Sequence, residues 1–178
     1  MPTALSPVSQ RFVLHWGEMG ARWGVNRTMG QIHALLYLSP HPLPAEEIAE
    51  TLGVARSNVS TSLRELQGWG VVRVVHILGD RRDHFESMRD VWEMFRVILD
   101  ERKRREIDPT VAMLKTCLQE LEAGPQDPAM RQKVADILEF LETITSAYED
   151  LRRLPAGALR EMTRMKGKLR KLLGGKKR

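Results

Sequence analysis

The chain has 178 residues, 42% of them hydrophobic and 29% charged, which is enough for one compact domain or two small ones that fold in water. A single cysteine excludes an intrachain disulfide framework and a zinc ribbon. No stretch approaches the ~18–20 apolar residues of a membrane-spanning helix, and the N-terminus lacks the layout of a signal peptide. We therefore expect a cytoplasmic protein without a membrane span.

The formal net charge of +5 is unevenly distributed along the chain. Residues 160–178 contain nine basic residues and one acidic residue, so this end carries +8 and the remainder carries −3. We expect residues 159–178 to be a basic, mobile tail, since glycines interrupt its near-helical apolar spacing. A frayed helix, a non-specific DNA anchor and a membrane-surface helix remain open as alternatives for this tail.

Most of the chain has the apolar spacing of helices. Thr28 is the predicted N-cap of a second helix, which the prolines of residues 39–44 end. A short helix over 45–52 and a further helix over 56–67 follow, and Gly53 separates them. The first helix is predicted from an apolar stripe at spacings of three and four residues: Val8, Phe12, Trp16, Met19 and Trp23.

The amino-acid composition changes after the fourth predicted helix. Residues 71–78 are rich in β-branched side chains and predict a strand, residues 79–83 a turn, and residues 84–87 the returning strand. Helix then resumes and is predicted to end in the charged run 100–106, after which Pro109 opens another helix. The expected fold is mainly α, with one two-stranded β-hairpin.

The segment that carries function has the residues of a helix-turn-helix. Ala49 permits a close crossing of the two helices, and Gly53 supplies a turn with positive φ. Val59, Leu63 and Leu66 form the apolar inner face of the second helix. Its outer face carries short polar and guanidinium side chains suited to phosphate and base edges in a major groove, namely Arg56, Ser57, Asn58, Ser60, Thr61 and Arg64.

The β-hairpin supplies a wing directly after this second helix. Arg81 and Arg82 lie at its tip. From residue 55 to residue 82 there are five basic and two acidic residues, a local charge of +3 within a negative body. This pattern favours DNA binding over the alternative, a helical hairpin with an ordinary solvated face.

These residues resemble the GbsR-type regulators of the MarR superfamily over about residues 28–88. The resemblance implies a dimeric winged-helix transcription factor, usually a repressor, whose grip on DNA responds to a small effector. It rests on Gly30, Leu35-Leu36-Tyr37-Leu38-Ser39, Pro42-Leu43, Asn58-Val59-Ser60, Leu63-Arg64-Glu65-Leu66, Trp69-Gly70 and Gly79-Asp80-Arg81-Arg82-Asp83.

The chain departs from the family pattern at both helix starts of the motif. Pro44 stands where the family has Ser or Thr, and Ala55-Arg56-Ser57 stands where it has Ser-Lys-Gly. Ala55 has no side chain that can cap the second helix, which costs ~1 kcal/mol. Since the changes reach the first turn of that helix, the operator sequence does not carry over from relatives.

The chain is expected to divide by function into three parts. Residues 27–88 form the winged helix-turn-helix, residues 1–26 and 89–158 form a helical dimerisation and effector region, and the tail follows. A heptad seam in the last long helix predicts a homodimer, although an antiparallel helix of the same chain is an open alternative. The seam consists of Val134, Ile137, Leu141, Ile144, Tyr148 and Leu151.

Three further features have two interpretations each. His76 and His84 flank the wing turn near Asp80 and Asp83, but a solvated hairpin is favoured over a metal site. Cys117 lies among apolar positions and is expected to pack, not to sense redox state. The family includes a sensor of a quaternary ammonium ligand, and aromatic cages bind such ligands. Aromatic residues that recur at helical spacing, however, more often belong to the hydrophobic core. The candidate effector contacts are Trp16, Trp23, Tyr37, Trp92 and Phe95.

The sequence contains no catalytic signature of a nucleotide-binding, metalloprotease or serine-hydrolase type, so we expect no enzyme, no cofactor and no metal. The predicted function is sequence-specific regulation of transcription by a homodimer on double-stranded DNA, with a small-molecule effector. Two alternatives stay open: a winged helix that binds protein as an adaptor, and a non-specific architectural DNA-binding protein.

Overall fold

The computed structural model describes residues 5–124, 127–154 and 157, and the predicted tail of residues 159–178 lies outside them. The helices are α1 (Pro7–Arg22), α2 (Arg27–Leu38), α3 (Ala45–Leu52), α4 (Arg56–Gly68), α5 (Val91–Arg102), α6 (Asp108–Ala123) and α7 (Pro128–Arg153), with a π-helix at Lys103–Ile107 between α5 and α6. The strands are β1 (Leu43–Pro44), β2 (Val72–Val75) and β3 (His84–Ser87).

The chain divides into two compact units, and the boundary falls between Ile98 and Leu99. The first unit contains α1 together with the winged helix, whereas the sequence groups residues 1–26 functionally with the C-terminal helices. That functional grouping stays a prediction.

The first unit has one contiguous hydrophobic core. Ile32 of α2, Ile48 of α3 and Val59 of α4 are fully buried in it. The sheet contributes Phe85 of β3, which is also buried in this core. Burial of such side chains contributes roughly 1.5–3 kcal/mol each. This core holds the helix-turn-helix and the wing in a fixed relation.

Helices α1 and α2 cross at two glycines. A Cβ atom added to Gly30 would lie 3.1 Å from the Cα atom of Gly17 and 3.3 Å from the carbonyl oxygen of Trp16. Both neighbours are backbone atoms that cannot move aside, so the crossing requires a residue without a side chain at Gly30.

The sheet has three strands, in the order β1-β3-β2, and both pairings are antiparallel. The predicted two-stranded hairpin is confirmed, and the sheet has a further strand that the sequence did not predict, because Leu43 and Pro44 pair with Phe85 and His84. Proline is tolerated there because β1 lies at the edge of the sheet, where no N–H is needed on the open side. Strand β2 is also shorter than the predicted span 71–78.

The start of α2 differs from its prediction. Asn26, not Thr28, is the N-cap: its Oδ1 atom accepts hydrogen bonds from the backbone N–H groups of Thr28 at 2.8 Å and Met29 at 3.4 Å. At the other end of α2, the guanidinium of Arg89 donates to the carbonyl oxygens of Tyr37 and Ser39. Both ends of α2 are thus satisfied by side chains.

In the second unit the charged run 100–106 does not end the helix, contrary to the prediction. The chain continues through the π-helix into α6, where Pro109 lies in the first turn. Proline removes one helical hydrogen bond, and a π-turn is a common way to accommodate such a gap. Ion pairs stabilise the run, among them Glu101 with Arg104 at 2.7 Å.

Helices α6 and α7 pack against each other in an antiparallel pair within the second unit. Lys115 pairs with Glu142 at 2.7 Å and Glu122 with Arg131 at 3.1 Å. Along the described part of the chain, none of these helices combines the length and apolar content that crossing a bilayer requires.

Candidate nucleic-acid interface

The turn between α3 and α4 has the predicted geometry. Gly53 ends α3 with φ +64°, the left-handed region that glycine adopts without strain. The N–H of Val54 then donates to the carbonyl of Ala49 at 3.1 Å and closes the turn. The cap of α4 at Ala55 makes no side-chain hydrogen bond, as the sequence predicts.

Helix α4 has two distinct faces. Its inner face buries Val59, Leu63 and Leu66, as predicted, and Ser62 in addition. The outer face presents the predicted polar and cationic set to solvent: Arg56, Ser57, Asn58, Thr61 and Arg64 are exposed, and Ser60 is half-buried. The sequence pattern therefore places all six side chains on one side of one helix.

Arg56 is held by a partner that the sequence does not predict. Its Nε and Nη2 atoms donate to Oε1 of Glu46 at 3.2 and 2.7 Å, and its Nη1 atom donates to Oγ of Ser60 at 3.0 Å. The pKa of Glu46 is lowered by its own backbone N–H and by Arg56. Nothing in the spacing of residues 46 and 56 along the sequence indicates this contact.

Arg64, one helical turn beyond Ser60, lies along the same face. Its Nε atom donates to the carbonyl oxygen of Ser60 at 3.4 Å, and its Nη2 atom lies 3.5 Å from Oγ1 of Thr61. These contacts are longer than those of Arg56, so the guanidinium is less firmly fixed.

The wing, residues 72–87, carries its arginines at an ordered turn. The Nη2 atom of Arg82 lies 2.6 Å from Oδ2 of Asp80, and the backbone N–H of Arg82 also donates to that carboxylate. Arg82 holds the pKa of Asp80 well below its usual range, and Asp80 in turn raises the pKa of Arg82. Arg81 is exposed beside this pair.

A groove of about 360 Å³ lies between α4 and the wing. Three of the predicted DNA-binding arginines line it, together with Glu46. The groove joins the helix and the wing into one surface, because arginines of both line it. Its lining residues are Ala45, Glu46, Arg56, Ser60, Leu63, Arg64, Gln67, Val74, Arg82, Asp83 and Phe85.

The two wing histidines lie next to different aspartates. His76 is 3.8 Å from Asp83, and the buried His84 is 3.5 Å from Asp80. Within residues 5–124, 127–154 and 157, no group of three or more potential ligands is arranged to hold a metal ion. Cys117 is half-buried and lies 3.5 Å from the sulfur of Met113.

The five predicted effector contacts occupy different environments in the first unit. Trp16 stacks on Phe12 with ring centroids 5.4 Å apart and lies at a tilt against His33 at 6.4 Å, and Tyr37 also packs against the core. Trp23, Trp92 and Phe95 are exposed. A cage formed by all five stays a prediction.

The predicted seam of α7 has two sides. Val134, Leu141 and Tyr148 are half-buried, whereas Ile137, Ile144 and Leu151 are exposed. An internal neighbour, α6, is packed on this helix. An exposed α7 stripe remains, which we define as Met130, Ile137, Phe140, Ile144 and Leu151.

A helix-turn-helix with an exposed cationic second helix, followed directly by a wing, defines a winged helix-turn-helix protein. Residues 23–83 match the family model described as the MarR family. The matched segment contains the helix-turn-helix, and this part of the chain is similar to the MarR family.

Similar proteins extend the comparison beyond the matched segment. The protein YvaV of Bacillus subtilis is 22% identical over 155 residues, covering 85% of this chain and 88% of YvaV. The HTH-type transcriptional repressor GbsR of Bacillus subtilis is 23% identical over 140 residues, covering 74% of this chain and 75% of GbsR. A crystal structure of a transcriptional regulator shares the fold, with a TM-score of 0.65 and 22% identity over 82% of this chain and 95% of the other. The GbsR-type part of the resemblance rests on distant similarity.

Proposed function

We propose that the protein is a sequence-specific transcriptional repressor that binds double-stranded DNA as a homodimer, at a two-fold operator, under the control of a small-molecule effector. The observation that carries the proposal is the outer face of α4, whose exposed polar and guanidinium side chains share one surface with the wing. The expected compartment is the cytoplasm.

The DNA contacts divide between the helix and the wing. Arg56 and Arg64 contact phosphate or guanine, while Ser57, Asn58, Ser60 and Thr61 reach base edges in the major groove. Arg81 and Arg82 meet the flanking backbone or the minor groove, where arginine responds to groove width. The ordered turn around Asp80 supports this role, because it presents Arg82 without a large ordering cost on binding.

The exposed α7 stripe supports the homodimer. Its heptad spacing fits a second copy of the same helix, and exposed apolar stripes of this kind mark protein interfaces. A two-fold operator requires two motifs at a fixed separation, which a dimer of α7 helices supplies.

Similarity to a named repressor supports repression, and the position of two aromatic residues supports an effector. GbsR is a repressor by name, and it covers most of this chain at low identity. Trp16 lies on α1 and Tyr37 on α2, and both pack against the core that also holds α4, so a ligand that contacts them would act on the position of α4.

Fluorescence anisotropy of a labelled duplex, titrated at several salt concentrations, tests the proposal. We expect the affinity to fall steeply as salt rises, because arginines that bind phosphates release counterions. We also expect a duplex that the protein has selected from a library to bind more tightly than unrelated duplexes. Binding without sequence preference would instead identify an architectural protein. An absence of duplex binding at low salt would contradict the proposal and favour an adaptor that binds protein.

A further inference from the structure

The Arg56 guanidinium is engaged along one edge and open along another. An arginine has five N–H groups. Three of those in Arg56 are directed within the protein: Nε and Nη2 share Oε1 of Glu46, and Nη1 meets Oγ of Ser60. One N–H on each of the two terminal nitrogens is left, and half of the side chain is exposed to solvent.

Two terminal N–H groups are the number that a guanine edge accepts. Bidentate contact from arginine to O6 and N7 of guanine is the commonest specific contact in the major groove. Arg56 is also the first residue of α4, and the N-terminal residues of a recognition helix are those that reach base edges.

The charge of Glu46 favours one of the two DNA groups that Arg56 could bind, a guanine edge, over the other, a phosphate. The adjacent carboxylate repels a phosphate, which carries a full negative charge, more strongly than a guanine edge, whose acceptor atoms carry only partial charges. The backbone N–H of Glu46 and the guanidinium of Arg56 lower the pKa of the Glu46 carboxyl, so the carboxylate is ionised at neutral pH. The pair is about half exposed on both sides, 50% and 49%, so its direct contribution to stability is small.

We propose that Glu46 is a positioning residue that directs Arg56 to guanine in the major groove, and so sets base preference at one position of each half-site. The inference rests on the proposed function, since it assumes that α4 reads duplex DNA. It assigns to α3 a part in sequence selection through α4, although Glu46 itself contacts no base.

The test compares duplexes that the full-length protein selects from a library with a randomised central segment. The variants are Glu46→Gln, which removes the charge, and Arg56→Lys, which keeps the charge of the arginine but loses its fork. Glu50→Gln is the control, because it removes the same charge from an exposed position of the same helix. Equal melting temperatures confirm that each variant is folded.

We expect the wild type and the Glu50→Gln control to enrich the same guanine in each half-site. Glu46→Gln and Arg56→Lys should lower the preference at that position alone, by roughly tenfold, and their combination should lower it no further than Arg56→Lys does. A merely structural role of Glu46 would not move the preference at one base pair.

Two results would overturn the inference alone. One is a Glu46→Gln pool that equals the wild-type pool. The other is tighter binding of all duplexes with unchanged base preference, which would mean that the carboxylate only competes with phosphate. A wild-type protein that enriches no duplex would overturn the proposed function, and this inference with it.

Discussion

The two units of the chain bury their apolar side chains to different extents. In the first unit, helices and sheet enclose a contiguous core in which side chains such as Ile32 and Ile48 have no exposed surface. In the described part of the second unit, Leu114 is the buried hydrophobic residue, while Ile137 and Ile144 are each 51% exposed. The first unit thus carries its own core, and the second leaves apolar side chains of α7 exposed.

The largest expected effect comes from placing charge on the exposed α7 stripe. Ile137→Asp combined with Ile144→Asp should give monomers and weaken operator binding by roughly 10²–10⁴-fold, since each motif then binds singly. Light scattering and anisotropy measure the two effects. The matched control, Gln132→Asp with Ser146→Asp, adds the same charge at exposed positions off the stripe. A stripe variant that stays dimeric with wild-type affinity would refute the role of α7.

A cavity in the first core should cost nearly as much free energy. Leu36→Ala should lower the free energy of unfolding by about 2–5 kcal/mol, because the side chain is 1% exposed and its removal leaves a void. Leu14→Ala is the control, since Leu14 is a helical leucine of the same unit that is 56% exposed. Urea denaturation measures both, and equal decreases would contradict the described core.

The stability of the first unit should depend on pH through a histidine that is buried in it. Burial lowers the pKa of His33 from 6.5 to about 4, so between these values the unfolded chain binds a proton that the folded chain excludes. Stability should therefore fall as pH drops from 6.5 to 4, by about 3 kcal/mol. His33→Leu should remove this part of the pH dependence, and His15→Gln, at an exposed position, should not. Identical pH profiles for the wild type and His33→Leu would exclude the buried neutral histidine.

The smallest effect on stability is expected at the wing. Arg81→Ala with Arg82→Ala should reduce the salt slope of DNA binding by about 1 for each phosphate that the wing no longer neutralises, with little change in melting temperature. Both side chains are exposed. A large melting shift with intact DNA binding would show that the pair is structural.

The helix-turn-helix could be predicted because its signals are local. The spacing of Val59, Leu63 and Leu66 sets the buried face of α4 and thereby its outer face, and Gly53 marks the turn. The hairpin was likewise evident from its β-branched run and its turn residues.

Features that depend on distant or competing contacts could not be read from the sequence. Strand β1 exists because β3, some forty residues later, pairs with Leu43 and Pro44. The contact of Glu46 with Arg56 depends on the angle between two helices. Both Asn26 and Thr28 are good N-caps, and backbone geometry decides between them. A heptad pattern cannot show that half of the α7 seam is covered within the chain.

The central claim, that the outer face of α4 reads DNA, is tested most directly by Arg56→Ala combined with Arg64→Ala. Affinity for the duplex that the wild type selects should fall by roughly 1–3 kcal/mol for each arginine that contacts a base. Arg11→Ala with Arg22→Ala removes the same charge from exposed positions of α1 and should leave affinity nearly unchanged. A folded Arg56→Ala/Arg64→Ala variant with wild-type affinity would contradict the account.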